Sequence, residues 1–182
     1  MPNALISTAP DFSQPIAVLK HCHDKIRQQL STLQNLLDHV PQYGSDAQAQ
    51  QAAHNVMRYF NQAAPHHHAD EEQDLLPMLR ATATGEDADL LQKLTPEILA
   101  EHQQMDSLWH CLNLQLAQIA DGAAVQAPPL LSPQDVQQFS TIYSAHMEKE
   151  ETWIAPMAKR IFNDQQMQQL GAAMQQRRGI PA

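Results

Sequence analysis

Residues 67–77 read HHADEEQDLLP and residues 146–156 read HMEKEETWIAP, so both stretches fit the pattern H-x3-E-E-x2-[LI]-x-P at an offset of 79 residues. The same offset relates His23 to His102, and each of these two stands 44 residues before the H-x3-E of its own half. A hairpin duplicated for packing alone would preserve only apolar positions, whereas this repeat preserves His and Glu. The sequence therefore predicts a duplicated helical unit whose repeated polar residues have a chemical role.

Composition and periodicity predict an all-α fold. Only 5 of 182 residues are Gly and 5% are aromatic, while 43% are hydrophobic, which favours helix over strand. Apolar residues recur at helical spacing in four long segments. We predict an antiparallel up-down four-helix bundle with a short extra C-terminal helix. The expected units are an N-terminal extension at 1–12, the bundle at 13–160, and a C-terminal helix and tail at 161–182.

Prolines and capping residues mark the expected helix boundaries. The second helix is expected from about Asp46 to Leu76, with a kink at Pro65 and its end or a second kink at Pro77. The later signals are Thr95-Pro96 at the start of the third helix, Ser132-Pro133 at the start of the fourth, Pro156 as an interruption of the fourth, and a frayed tail from Arg177 to Ala182.

Charge and cysteine content argue against several classes of protein. The net charge is −9 and the 11 Lys and Arg residues are mostly scattered, so a nucleic-acid-binding face is not expected. No apolar run approaches the roughly 18 residues that suggest a membrane span, and Met1–Pro10 lacks the features of a secretory signal. Two cysteines do not make a disulfide framework. The expected location is the cytoplasm, without a membrane or nucleic-acid partner.

The repeat selects the candidate metal ligands. Residues i and i+4 share a helix face, so each H-x3-E motif presents an imidazole and a carboxylate together. His67 is preferred over His66 and His68 because their partners at the 79-residue offset are Ala145 and Met147. Glu72 and Glu151 are expected outside the ligand set, near it or at the surface. The six candidate ligands are His23, His67, Glu71, His102, His146 and Glu150.

Six such side chains in one core would hold metal ions. Buried carboxylates without partners are costly, and metal cations would compensate them. Imidazole with carboxylate suits iron, and also zinc or manganese. If each of two ions takes two histidines, and both carboxylates and one solvent oxygen bridge them, each ion has about five ligands. An octahedral iron would then keep one position open for dioxygen, nitric oxide or a peroxide.

At these residues the chain resembles the hemerythrin-like (HHE cation-binding) family, over about residues 12–160. The family has a His on the first helix, H-x3-E on the second, a His on the third and H-x3-E on the fourth. The resemblance implies an oxo- or hydroxo-bridged non-heme di-iron site, with roles in binding oxygen or nitric oxide, redox sensing, or iron handling in stress. Oxygen carriers of the family have a second His one turn after that of the third helix, where this chain has Asp106. Asp106 is therefore a candidate seventh ligand, and the alternatives are a role in orienting a neighbouring histidine or in a surface pair.

Two other functions compete with small-ligand binding. Ferritin-like di-iron oxidases use Glu-x-x-His at i,i+3, whereas here the order is reversed and the spacing is i,i+4, which argues against an enzyme of that type. The other alternative is an interaction module whose metal is structural or absent. A homodimer is also open, because the apolar face of the fifth helix could pack on the bundle or on a second copy; that face contains Met167, Leu170 and Met174.

Overall fold

The computed structural model describes residues 11–124 and 129–181, and within those ranges all regular structure is helical. Residues 1–10 of the expected N-terminal extension and Ala182 lie outside this description. The all-α prediction is confirmed. The helices are α1 (Pro15–Tyr43), α2 (47–82), α3 (Glu86–Ala120), α4 (133–161) and α5 (Asp164–Arg177).

The four long helices form a ring in which each packs against the next and α4 returns to α1. Two apolar clusters fill this ring. Cluster I contains Ile26, Leu33, Val56, Phe60, Met105, Leu112, Phe139 and Met147, among others. Cluster II contains Ile16, Leu19, Leu75, Leu79, Leu91, Ile98, Ile154, Met157 and Leu170, among others. Along the chain, α1 and α3 pass from cluster II to cluster I, whereas α2 and α4 pass from cluster I to cluster II, as an up-down bundle requires.

A polar layer separates the two clusters. On α1, α2 and α3 the candidate ligands lie between the residues of cluster I and those of cluster II, on α4 they lie where cluster I ends and before cluster II begins, and all six are at most 3% exposed. Apolar packing above and below the layer holds the four helices at fixed distances. The fold therefore supplies a rigid, water-poor frame for the histidines and glutamates.

Both H-x3-E motifs are followed by a π-helical turn. Residues Glu71–Leu75 and Glu150–Ile154 are π-helical, at the same 79-residue offset as the sequence repeat, and Tyr59–Ala63 forms a third such turn. Each π turn is closed by an N–H that immediately precedes a proline, for example the Leu76 N–H bonded to the Glu71 carbonyl before Pro77. The wider turn accommodates a proline, whose ring would otherwise clash with the carbonyl four residues earlier. A helix end at Pro77 is therefore wrong, and Pro156 does not end the fourth helix, because α2 continues to Thr82 and α4 to Ile161.

The start of α3 also differs from the sequence prediction. The helix begins at Glu86, after Gly85 with a φ of 56°, and not at Thr95. Pro96 lies inside the helix on its solvent face, where water can bond the carbonyl of Gln92 that the proline ring leaves free. The preceding turn stays helical because Leu91 packs into cluster II. By contrast, Ser132 caps α4 as predicted, since its hydroxyl accepts from the Asp135 N–H.

Helix α5 packs against α1 and α2. Its apolar face, with Leu170 and Met174 fully buried, covers cluster II. Arg177 pairs with Asp70 and, at 2.5 Å, with Asp74, while Arg178 donates to Asp70 at 2.6 Å. The predicted fraying from Arg177 is therefore wrong for the two arginines, because the fully buried Asp70 holds both. No described helix is long and apolar enough to cross a bilayer.

Candidate metal centre

The six side chains selected from the repeat meet in the polar layer. Their donor atoms form two groups of four, and within each group the atoms lie within 4.8 Å of one another. One group contains His23 and His67, the other contains His102 and His146, and both contain Glu71 and Glu150. The two carboxylates are therefore shared between two sites, each of which has its own pair of imidazoles.

Three carboxylates outside these groups fix the orientation of three of the imidazoles. Glu151 lies 3.0 Å from His23 Nδ1, Glu72 lies 2.6 Å from His102 Nδ1, and Glu101 lies 2.9 Å from His146 Nδ1. A carboxylate can only accept, so the proton of each neutral ring is on Nδ1 and the lone pair is on Nε2. Glu72 and Glu151, which the repeat placed outside the ligand set, thus hold histidines whose Nε2 atoms face the centre. Such partners raise the basicity of metal-bound imidazoles.

The inward-facing atoms need a cation between them. His102 Nε2 and His146 Nε2 are 3.1 Å apart, and with both Nδ1 atoms protonated two lone pairs face each other across that distance. His23 Nε2 similarly faces Glu150 Oε2 at 3.2 Å. A proton or a metal ion must relieve this repulsion. Nitrogen and carboxylate donors at these separations fit a first-row transition metal.

Unpartnered buried atoms support the same interpretation. Among the described residues, seven buried side-chain atoms have no hydrogen-bond partner, and all but Thr95 Oγ1 belong to the candidate centre. They are His23 Nε2, His67 Nδ1, His67 Nε2, Glu71 Oε2, Glu150 Oε1 and Glu150 Oε2. Buried polar atoms without partners are rare in folded proteins and costly. Their concentration at one place fits a site built for cations.

The pKa shifts of the two glutamates follow from the same arrangement. Burial and the adjacent Glu150 charge raise the pKa of Glu71 well above its ordinary value. Burial also disfavours the Glu150 anion, but His146 and His23 outweigh it and lower the pKa of Glu150. Burial lowers the pKa of His67 well below its ordinary value, which keeps the ring in the neutral form that binds metals. Without a cation the centre therefore holds one carboxylate charge more readily than two.

Asp106 is not brought into either group of donors. Its side chain is exposed, and burial of part of it raises its pKa, with the charge of Glu72 also nearby. The structure therefore places the six residues of the repeat together and leaves the candidate seventh ligand at the edge of the site.

His68 is a buried residue of this region that the repeat did not select. Its ring stacks on His102 with a centroid distance of 4.0 Å, and its Nε2 lies 3.3 Å from the Tyr143 hydroxyl. Burial lowers the pKa of His68 and raises that of Tyr143, so both are neutral groups beside the centre. The i,i+4 spacing of His68 and Glu72 is a signal for such a role, but the residue that corresponds to His68 in the second half is Met147, so the repeat does not select His68.

A cavity of about 480 Å³ connects the centre with the surface between α1 and α4. His23, Glu71 and Glu150 line its inner end. Most of its wall is apolar, with Ile16, Leu19, Leu75, Ile154 and Pro156, and Lys20 and Lys159 also line it. A small molecule can therefore approach the centre from the His23 side.

Comparison with known proteins agrees with the geometry. Residues 14–158 match the family model described as hemerythrin HHE cation binding domain. The chain is also similar to an uncharacterized protein of Haemophilus influenzae, with 26% identity over 169 residues, which is 93% of this chain and 92% of that protein. The matched family range contains all six residues of the centre.

Proposed function

The chain belongs to the hemerythrin HHE cation-binding family, and from that premise we propose that its six-residue centre holds two iron ions and binds a small ligand such as dioxygen, nitric oxide or peroxide. Zinc or manganese would fit the same donors. The observation that carries the proposal is the sharing of Glu71 and Glu150 between two pairs of histidines. A single ion would leave one pair of imidazoles and its facing lone pairs uncompensated.

The residues around the centre have distinct roles in this proposal. Glu72, Glu101 and Glu151 keep three histidines in the tautomer that presents Nε2 to a metal. Clusters I and II exclude water from above and below, and the cavity beside His23 admits a small molecule. Bound iron would supply redox chemistry and an open coordination position. Ligand sensing, reversible ligand binding and iron handling would all use this centre. We propose that the protein acts in the cytoplasm.

Metal analysis and spectroscopy test the proposal. Protein produced with ample iron is expected to contain about two ions per chain and to show near-ultraviolet charge-transfer bands that shift with azide. Changing Glu71→Ala and Glu150→Ala together is expected to abolish both, because each carboxylate belongs to both donor groups.

Glu148→Ala is the matched control, because Glu148 is an exposed glutamate on the same helix as Glu150. Normal bands in the double variant would contradict the assignment. Assays of ferroxidase and peroxide turnover separate a binding protein from a di-iron oxidase, since only the oxidase is expected to turn over.

A further inference from the structure

Ion pairs support the two H-x3-E motifs in different ways. Asp70 stands directly before Glu71 and Lys149 directly before Glu150, so the 79-residue offset relates an aspartate to a lysine. Lys149 pairs with two glutamates of α3. Asp70 is fully buried and pairs with two arginines at the C-terminal end of α5. Among the ion pairs of the described residues, α5 is therefore joined to the first motif and not to the second.

Arg177 spans the π-helical turn that begins at Glu71. It donates to Asp70 immediately before the turn, and to Gln73 at 3.2 Å and Asp74 at 2.5 Å within it. Hydrogen bonds between a guanidinium and a carboxylate are among the stronger ones in proteins. π turns are uncommon and often occur at functional sites. Arg177 therefore fixes the outer side of a turn whose first residue is a candidate metal ligand.

Arg178 strengthens the same contact. It donates to the two oxygens of Asp70 at 3.1 Å and 2.6 Å, and to the Met174 carbonyl near the end of α5 at 2.8 Å. Because Asp70 has no exposed surface, loss of both arginines would leave a buried charge without these partners. Such a charge is strongly destabilising, so the helix segment that carries Asp70 would move toward water.

Glu71 depends on the position of this segment. Asp70 and Asp74 contact α5, whereas the Glu71 carboxylate belongs to both groups of donors in the centre. Metal–ligand distances tolerate deviations of only about 0.2 Å, so a shift of the segment would misplace the Glu71 oxygens. Glu150 does not share this dependence, because the residue before it is held by α3.

We propose that Arg177 and Arg178 are positioning residues for Glu71, and that they couple the docking of α5 to metal binding. This inference rests on the proposed two-metal function. Coupling between two equilibria is reciprocal, so whatever the arginine contact adds to metal affinity, bound metal adds to the docking of α5. Residues that orient metal ligands typically contribute 10–100-fold in affinity. The arginines act through Asp70 and not on a ligand directly, so we expect the lower end, about 10-fold.

Titration of the metal-free protein with Co²⁺ against a competing chelator measures the coupling. Changing Arg177→Gln and Arg178→Gln together is expected to weaken Co²⁺ binding by about 10-fold and to alter the visible absorption of the bound ion. Removing two positive charges would by charge alone strengthen the binding of a cation, so weaker binding points to the position of Glu71. Met174→Ala is the matched control, because Met174 is a fully buried residue of α5 that packs in cluster II.

Rescue through Asp70 tests the route of the coupling. Adding Asp70→Asn to the arginine double variant removes the buried charge that needs the arginines, so Co²⁺ affinity is expected to recover. Loss of a negative charge near the centre would by itself have the opposite effect. In the wild-type protein, bound Co²⁺ is expected to slow local amide exchange in α5, and this effect should disappear in the arginine double variant.

Three results would overturn the inference while leaving a two-metal protein. They are an unchanged Co²⁺ affinity in the arginine double variant, an equal loss of affinity in Met174→Ala, and amide exchange in α5 of the wild-type protein that does not respond to Co²⁺. The last measurement needs only the wild-type protein, so it decides the question even if the double variant does not fold. Binding of one Co²⁺ or none by the wild-type protein would instead overturn the proposed function itself.

Discussion

At the scale of single residues, the centre is a local departure from good packing. Glu71 and Glu150 are both at most 3% exposed, and three of their four carboxylate oxygens have no hydrogen bond. Burying two carboxylates together costs free energy unless a cation compensates them. The metal-free fold is therefore strained at the residues that we assign to metal binding.

Replacing one of these glutamates is expected to stabilise the metal-free protein. The raised pKa of Glu71 means that its protonated form stabilises the fold below its ordinary pKa of 4.5, and that this contribution is lost as the pH rises through the raised value. The glutamine side chain of Glu71→Gln does not titrate. The free energy of unfolding of the metal-free variant is therefore expected to exceed that of metal-free wild type by about 1–3 kcal/mol at neutral pH. The advantage should grow as the pH rises above about 4.5.

Urea unfolding of the stripped proteins at acidic and slightly alkaline pH measures this difference. Glu148→Gln removes an exposed glutamate and serves as the control. A Glu71→Gln variant that is less stable than wild type at both pH values would show that the carboxylate is well accommodated without metal.

At the scale of helices, the sequence predicts the spacing of the site residues and the capping residue of α4, but it does not predict where a helix continues past a proline. The i,i+4 motif located His67 and Glu71 on one face, and Ser132 was recognised as a cap, because both signals are local. The π turns were missed because a proline in a helical pattern usually signals an end, whereas here an extra residue in the turn before Pro77 keeps the helix intact. The start of α3 was placed wrongly at Thr95-Pro96 for a related reason. The local capping signal is outweighed by the burial of Leu91, which keeps the preceding turns helical.

The docking of α5 depends on a glycine inside the helix. A Cβ at Gly171 would overlap the backbone carbonyl of Phe12. Gly171→Ala should raise helix propensity by about 1 kcal/mol, yet we expect it to destabilise the protein by about 1–3 kcal/mol because the helix must move away.

The measurement is thermal or urea unfolding, combined with amide exchange across α5 to detect its release. Ala172→Ser, one position along on the exposed side, is the control. A more stable Gly171→Ala protein would mean that α5 does not pack on residues 11–14 in solution.

At the scale of the whole molecule, the duplication carried most of the prediction. A single H-x3-E motif is weak evidence for a metal site, but the common offset predicts that residues of four helices meet at one centre. It also excludes His66 from the ligand set, and His66 belongs to neither group of donors in the structure. The carboxylates that hydrogen-bond the histidines could be identified only from the structure. Glu101, the partner of His146, lies 45 residues away in sequence, and no spacing rule connects the two residues. The same limit applies to Asp106, which stands one turn from His102 in the sequence but is exposed and belongs to neither group of donors.

The central claim is that one buried centre binds two ions through six side chains. Crystals of the iron-loaded protein, measured above and below the iron absorption edge, test it most directly. We expect two anomalous peaks in the polar layer, one beside His23 and His67 and one beside His102 and His146, with Glu71 and Glu150 in contact with both. A single peak, or iron bound only at surface histidines, would contradict the account.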